Sequence, residues 1–328
     1  ERARASACAI HLALLFTAAG TARAQIETAA SGNWNATATW AGGVVPTNGP
    51  AVIRAEHTVT LTAANQIKAA VDLTVDGVLN LANQNTALSV LRGSGQVLQT
   101  SSGTVTLTLG GEDSSTFDGV IQRTAGTLHL VKTGSGTNAL NGVNSYNGTT
   151  TVNAGTVSIA DAGTLGSGAI RFLGGTTLDL SERDEILSLG ASQPFTVWCG
   201  TSSVSLVTAS GNGLALGSSA PLRFDHFGGA AAALTVGGGG SLTLQSGNAV
   251  TVTVAGPPLP ADDYVLIDNG AAGTLPASFS LQGAGSAAAT TAALLIDGND
   301  LVLRIEDSVS AHTPQEITTQ AAGDWHES

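Results

Sequence analysis

Scarcity defines this sequence of 328 residues, of which only 11% are charged and 4% aromatic, with two Cys and no Met. Soluble domains ordinarily carry about 25% charged residues, so a helical bundle dressed in Lys and Glu is excluded. Disorder driven by charge is excluded too, because it requires dense like charge and few β-branched residues, and this chain has the reverse. No run of apolar residues reaches the roughly 20 that cross a bilayer as a helix. In place of what is missing stand 42 Gly and abundant Ala, Ser, Thr, Val and Leu. That mixture suits an extended all-β protein with many small-residue turns.

With no Met in a chain that begins at Glu1, a trimmed or partial form is expected. Residues 1–24 have the three parts of a secretion signal peptide. Arg2 and Arg4 form a basic start, an apolar run extends from Ala9 to Ala19, and Ala22-Arg23-Ala24 places the cut before Gln25. Loss of Arg2, Arg4, Arg23 and Glu1 takes the net charge from −12 to −14. That balance argues against nucleic acid and anionic membranes as partners. Cys8 leaves with the signal, so Cys199 is alone in the mature chain and no internal disulfide can form. With no His or acidic residue close to it in sequence, Cys199 is expected as a buried thiol ending a strand from Phe195.

Periodicity sets the fold class. From Ala51 onward short runs alternate apolar and polar residues, as in His57–Leu61, Val71–Val75, Gly77–Leu81, Thr104–Leu109 and Thr127–Val131. The pattern persists through Thr156–Ile159, Ala169–Phe172, Thr177–Leu180, Val204–Leu206, Leu222–Phe224, Leu234–Val236, Leu242–Leu244 and Val250–Val254. A period of two places the apolar side chains on one face, so these are strands buried on one side. Between them lie Gly, Ser, Asn and Asp, and nothing long enough to be a helix. A sandwich core this large would use more aromatic rings and would not continue for about 300 residues. A coil of parallel strands has no such limit, since each rung needs a thin apolar stripe, small corners and a neighbour above and below. At about 20 residues per rung and 4.8 Å between strands, the chain predicts roughly 14 or 15 rungs and a rod of about 70 Å. Asn153, Asn141 and Asn80, near turns, suit either side-chain ladders or plain turn formation.

One stretch is more specific. Lys132, Gly134 and Gly136, Leu140, Gly142, Asn144, Tyr146, Gly148, Thr149, Val152, Gly155 and Thr156 form a spaced series that resembles the strand repeat of bacterial autotransporter passenger domains. The likeness covers about residues 127–180; Asn138-Ala139-Leu140 departs from the family's second Leu-x-Leu pair. The resemblance implies a right-handed parallel β-helix, a solenoid with short strands and Gly/Asn-rich turns, used as a surface stalk or adhesin. From the residues alone, Gly142, Gly148 and Gly155 fall where tight corners demand a positive φ. Tyr146 is expected to pack inside or beside a corner, with sugar stacking as the alternative.

The ends carry a second pattern. Ile26–Asn35 aligns without gaps to Ile317–His326, sharing Ile, Thr, Ala, Gly and Trp. Residues 25–307 are therefore expected as one module, 308–316 as a linker and 317–328 as the start of a second, similar module. Trp34 and Trp40 are expected to cover the open first rung, with glycan contact as the alternative. After Gly256 to Pro260 the style changes, and a closing segment over 257–307 contains Tyr264–Ile267, Ala293–Ile296 and Leu301–Ile305, the last two joined by a hairpin turn at Asp297-Gly298.

Chemistry is thinly supplied. The acidic groups Asp262-Asp263, Glu182 to Glu185 and Glu112-Asp113 are expected in turns and lack the ligand spacing of a Ca²⁺ loop, so no metal or cofactor is expected. Parallel β-helices also host polysaccharide lyases and hydrolases, which need convergent carboxylates and a basic residue. The candidates are Asp72 with Asp76, Asp179 with Arg171, and Asp225 beside His226. With only nine basic residues after the signal and no nucleophile elbow, zinc spacing or phosphate loop, no catalytic residue is assigned. The sequence points to an exported surface protein, structural or adhesin-like and without catalysis, whose partners are surface glycans or other cells. The alternative is a glycan-degrading or glycan-binding β-helix, with Trp34, Trp40 and Tyr146 as its contacts.

Overall fold

The computed structural model describes residues 24–160, 162–288 and 290–308. Residues 1–23 of the signal expected over 1–24, with Cys8, and the second module expected over 317–328 lie outside the described residues, as does the linker beyond residue 308. Nearly every alternating run is a strand, and among the described residues the only helical turns are two short 3₁₀ pieces, Thr37–Thr39 and Ala41–Gly43.

The strands stack in parallel, in register, along three faces. Face A begins with Ile26–Glu27, Gly49–Ile53, Val71–Val75 and Val90–Arg92, and continues across the parallel bridge Gly93↔Phe117 into Ser115–Phe117, Thr137–Leu140 and their successors. Face B runs from Gly32–Asn33 to Val120–Arg123 and resumes at Leu187–Ser188, with the bridge Val143↔Thr164 in the interval. Face C opens at Thr86–Leu88 and holds nine strands up to Ser278–Gly283. The chain visits the faces in rotation, which makes a β-solenoid of about 10 turns.

That figure corrects the 14 or 15 rungs expected from a uniform 20 residues per turn. Paired residues are 18 apart at Asp72↔Val90 and 20 apart at Leu130↔Thr150 and Thr150↔Ile170. The interval then widens to 25 at Ile170↔Phe195, 27 at Phe195↔Leu222 and 29 at Ala249↔Ser278. The extra residues lie in the corners, where they add girth and no height. At about 4.8 Å per rung the column is about 50 Å tall, not 70 Å.

Inside runs one apolar seam. In Thr104–Leu109 the burial alternates, and Val105, Leu107 and Leu109 are at most 1% exposed while the intervening Thr face outward. The same cluster extends from Trp34 to Ile305. Burying a Val or Leu side chain contributes roughly 1.5–3 kcal/mol, and the parallel ladders above and below satisfy the backbone.

The two ends close differently. At the start, Trp34 and Trp40 are both 1% exposed, edge to face with centroids 4.8 Å apart, and the Trp40 indole N–H donates to the Trp34 carbonyl at 2.7 Å. At the far end, Thr290–Asp297 and Asp300–Asp307 form the expected hairpin, with Gly298 at φ 59°. This hairpin adds antiparallel to Asp262–Asp268, whose other edge still pairs in parallel with Leu234–Gly237. Asp262 and Asp263 therefore open a strand and do not occupy a turn. Across the ladder between Asp262–Asp268 and Asp300–Asp307, Asp263 accepts from both Nε and an Nη of Arg304 at 2.7 Å, and this pair holds its carboxyl below the usual range.

Candidate functional site

The autotransporter-like segment works as a set of clamps between adjacent rungs. Face B lacks a regular strand at residues 143–145, and Asn144 does its work there. Its buried Oδ1 accepts the Ile121 N–H at 2.8 Å, while Nδ2 donates to the carbonyls of Gly142 at 3.0 Å and Thr164 at 2.7 Å. One side chain thus stitches three successive turns. Gln193 and Asn248 repeat the device higher up, with Nε2 of Gln193 reaching the carbonyls of Gly166 and Gly168 and Nδ2 of Asn248 those of Gly217 and Ala220. The asparagines singled out from sequence do less. Asn141 donates to Asp118 at 2.8 Å, the Asn80 carbonyl accepts from Thr100 and Ala82, and Asn153 is an exposed turn residue.

Lys132 is 1% exposed and donates to the carbonyl of Gly134, closing a corner with a charge drawn out of water; burial pushes its pKa below 10.5. Gly155, directly above, has φ 70°, and a Cβ there would meet the Gly134 and Gly136 carbonyls and the Lys132 ammonium. Gly142 and Gly148 do not have positive φ, contrary to the expectation. They are needed for closeness, since a Cβ at Gly142 would lie 1.9 Å from the Gly119 carbonyl oxygen.

Tyr146 is 0% exposed, and its hydroxyl shares a hydrogen bond with Thr150 at 2.7 Å. Its ring lies under Gly166, where a Cβ would approach it to 2.4 Å. Burial pushes the phenol up to about 12. Sugar stacking by Trp34, Trp40 and Tyr146 is corrected by this burial, because all three rings are enclosed in the core and present no face to a ligand. Cys199 follows the strand Phe195–Trp198; burial foremost, then the nearby Asp225, pushes its thiol up to about 12. A thiol so held is not a nucleophile at neutral pH.

Of the pairs considered from sequence, Asp179 with Arg171 separates. Asp179 is on face A, bound to Ser181, whereas Arg171 is on face C. Asp72 and Asp76 belong to one strand and the turn after it, and Asp76 accepts the Ser94 N–H at 3.2 Å. Among the described residues no group of three or more His, Cys, Asp or Glu is placed to hold a metal ion.

One outer surface does gather chemistry, around a ring that sequence reasoning passed over. On face C the strands Ile170–Leu173, Phe195–Trp198 and Pro221–Phe227 are neighbours, so Arg171, Thr196 and Arg223 form one row and Trp198 faces Asp225 in the next. The Arg171 guanidinium carbon is 4.2 Å from the centroid of the half-buried Trp198 ring, and the His226 imidazole stacks on that ring at 5.4 Å and 8°. His226 reaches this position from a bulge between Phe224 and Phe227, at φ 64°. Arg223 donates to Asp225 at 3.3 Å, and Thr253 donates to the same oxygen at 3.1 Å. Arg171 Nε is buried without an acceptor. The signal for this cluster was unreadable without the register, because Arg171, Trp198 and His226 are 27 and 28 residues apart, not 20.

Residues 130–159 match the family model of the passenger-associated-transport-repeat, inside the segment marked by the sequence resemblance. Comparison with the curated proteins and with the solved structures gave no match. A passenger-associated-transport-repeat set in a parallel β-solenoid fits an autotransporter passenger repeat protein, a kind that implies export to the cell surface.

Proposed function

We propose that this chain is the stalk of an exported bacterial surface protein, structural or adhesin-like, with no catalysis of its own. The observation that carries this reading is the passenger-associated-transport-repeat at residues 130–159, embedded without interruption in the solenoid core. A column of stacked rungs suits a stalk, because each turn is held by its neighbours and length is added without a larger core. The outward rows, mostly Thr, Ser and Ala, suit a soluble shaft. The expected signal peptide over residues 1–24 supplies the route out, nucleic acid is not a partner, and other cells or surface glycans are.

The test is protease treatment of intact producing cells. The chain is expected to be degraded or shed without lysis; full protection until the cells are broken would overturn the reading. The rival, a β-helical polysaccharide lyase or hydrolase, draws support only from Asp225 beside His226. Release of unsaturated or reducing ends from acidic polysaccharides, lost in Asp225→Asn, would favour it.

A further inference from the structure

We propose that the row Arg171–Thr196–Arg223, with Trp198 and His226 beside it, binds an acidic polysaccharide that carries one carboxylate per disaccharide. This names a partner class for the surface stalk proposed above and rests on that reading.

Four observations converge on it. First, the Arg171 guanidinium carbon lies 4.2 Å from the centroid of the Trp198 ring, its Nε is buried without an acceptor, and among the described residues no ion pair engages it. A guanidinium held against a ring, with one N–H already out of water, is prepared for a planar anion, since less freedom is lost when a carboxylate docks on its remaining donors. Second, Arg223 occupies the same outward row two strands along, separated from Arg171 by Thr196 alone. Two strand spacings make about 9.5 Å, close to the length of one disaccharide in an extended chain. Thr196, between them, is 9% exposed although it belongs to an outward row, so neighbouring side chains cover it and the two cations flank a small, shielded residue. Third, His226 is at φ 64° in a bulge, a conformation costly for any residue but Gly, and the position so obtained is over the indole. Fourth, the chain carries a net charge of −12, so a local pair of cations beside an aromatic ring is the exception on its surface. An anionic chain is repelled elsewhere and directed here. Asp225 neutralises part of Arg223 and fixes its orientation through the 3.3 Å contact, leaving Arg171 as the principal anchor.

The probe is a hyaluronan octasaccharide, whose uronate carboxylates occur on alternate sugars, tested by calorimetry against the full chain. Its methyl ester serves as the neutral arm. Expected are binding of the acid form that weakens with added salt, loss of binding by the ester, and affinity reduced by about tenfold or more in Arg171→Gln. Trp198→Phe should weaken binding while the thermal unfolding midpoint is kept. Equal binding of acid and ester, no binding of either, or acid binding unchanged in a folded Arg171→Gln protein would each overturn the proposal. None of these results bears on protease accessibility at the cell surface, so failure here is distinguishable from failure of the stalk reading. Circular dichroism of each variant separates lost binding from lost fold.

Discussion

The solenoid has a tight region and a wide one. Between Thr127 and Phe172 each turn on face C takes 20 residues, and corners pass so close to the rung below that Gly142, Gly148 and Gly168 would drive a Cβ into carbonyl oxygens. Between Phe195 and Gly283 a turn on face C takes 27 to 29 residues; some corner glycines there, Gly211, Gly228 and Gly237, would meet nothing within 4 Å, while others still press on the rung below, as at Gly238, where a Cβ would lie 1.7 Å from the Thr208 carbonyl oxygen. Both regions bury the same kind of apolar stripe. The contrast shows that the seam fixes the stacking while corner length decides what the surface can carry. Buried polar side chains hold corners shut in both regions, Asn144 and Lys132 in the tight one and Asn248 in the wide one. Where turns lengthen, a bulge can raise His226 over Trp198.

The sharpest way to break the comparison is a cavity in each region. Tyr146→Ala removes a ring with no exposed surface from the tight corner and should cost about 3–5 kcal/mol in urea unfolding. Tyr264→Ala, at a ring 8% exposed in the closing segment, should cost less. Equal losses would deny that tight rungs depend more on their corner side chains.

A smaller effect separates two glycines of similar φ. Gly155→Ala combines φ 70° with carbonyl oxygens at 2.4 and 2.6 Å and should lose more than the roughly 1–2 kcal/mol that the left-handed conformation alone costs. Gly211→Ala, at φ 82° in open space, should lose only about that. Matched denaturation curves of the two variants measure the difference due to crowding.

The smallest expected effect is in pH. Cys199 in the wide region and Tyr146 in the tight one are acids with native pKa values raised from 9.0 and 10.0 to about 12. Above the unfolded value the unfolded chain releases a proton that the native chain retains, so stability is full below pH 9 and falls as pH rises toward 12. Cys199→Ala should remove the part of the loss that begins near pH 9 and leave the part that begins near pH 10. Lys132, lowered from 10.5 by burial, acts in the opposite sense, so variant and parent are compared at each pH. An unchanged melting profile between pH 9 and 10 in Cys199→Ala would contradict the burial argument.

Much of the fold was legible because strand alternation is a local property. Val71–Val75, Thr104–Leu109 and Val250–Val254 can be read from their own residues, and Asp297-Gly298 announces its hairpin. The clamps were less legible. Asn144 looks like any turn asparagine until the rungs at Ile121 and Thr164 are brought beside it. The burial of Trp34, Trp40 and Tyr146 was expected from packing, and their alternative role as sugar platforms ended once the core enclosed them.

Sequence by itself determined that this chain winds as a column, because a period of two with small corners leaves one apolar edge per strand and only stacking can hide it. It also identified the passenger-like segment, since glycine spacing and the Lys132 to Thr156 series are written along the chain. Only the tertiary structure decided how many residues make a turn, and hence which side chains share a row. Register depends on the summed length of three corners, no one of which carries a signal of its own, and that is why Arg171, Trp198 and His226 met only in three dimensions.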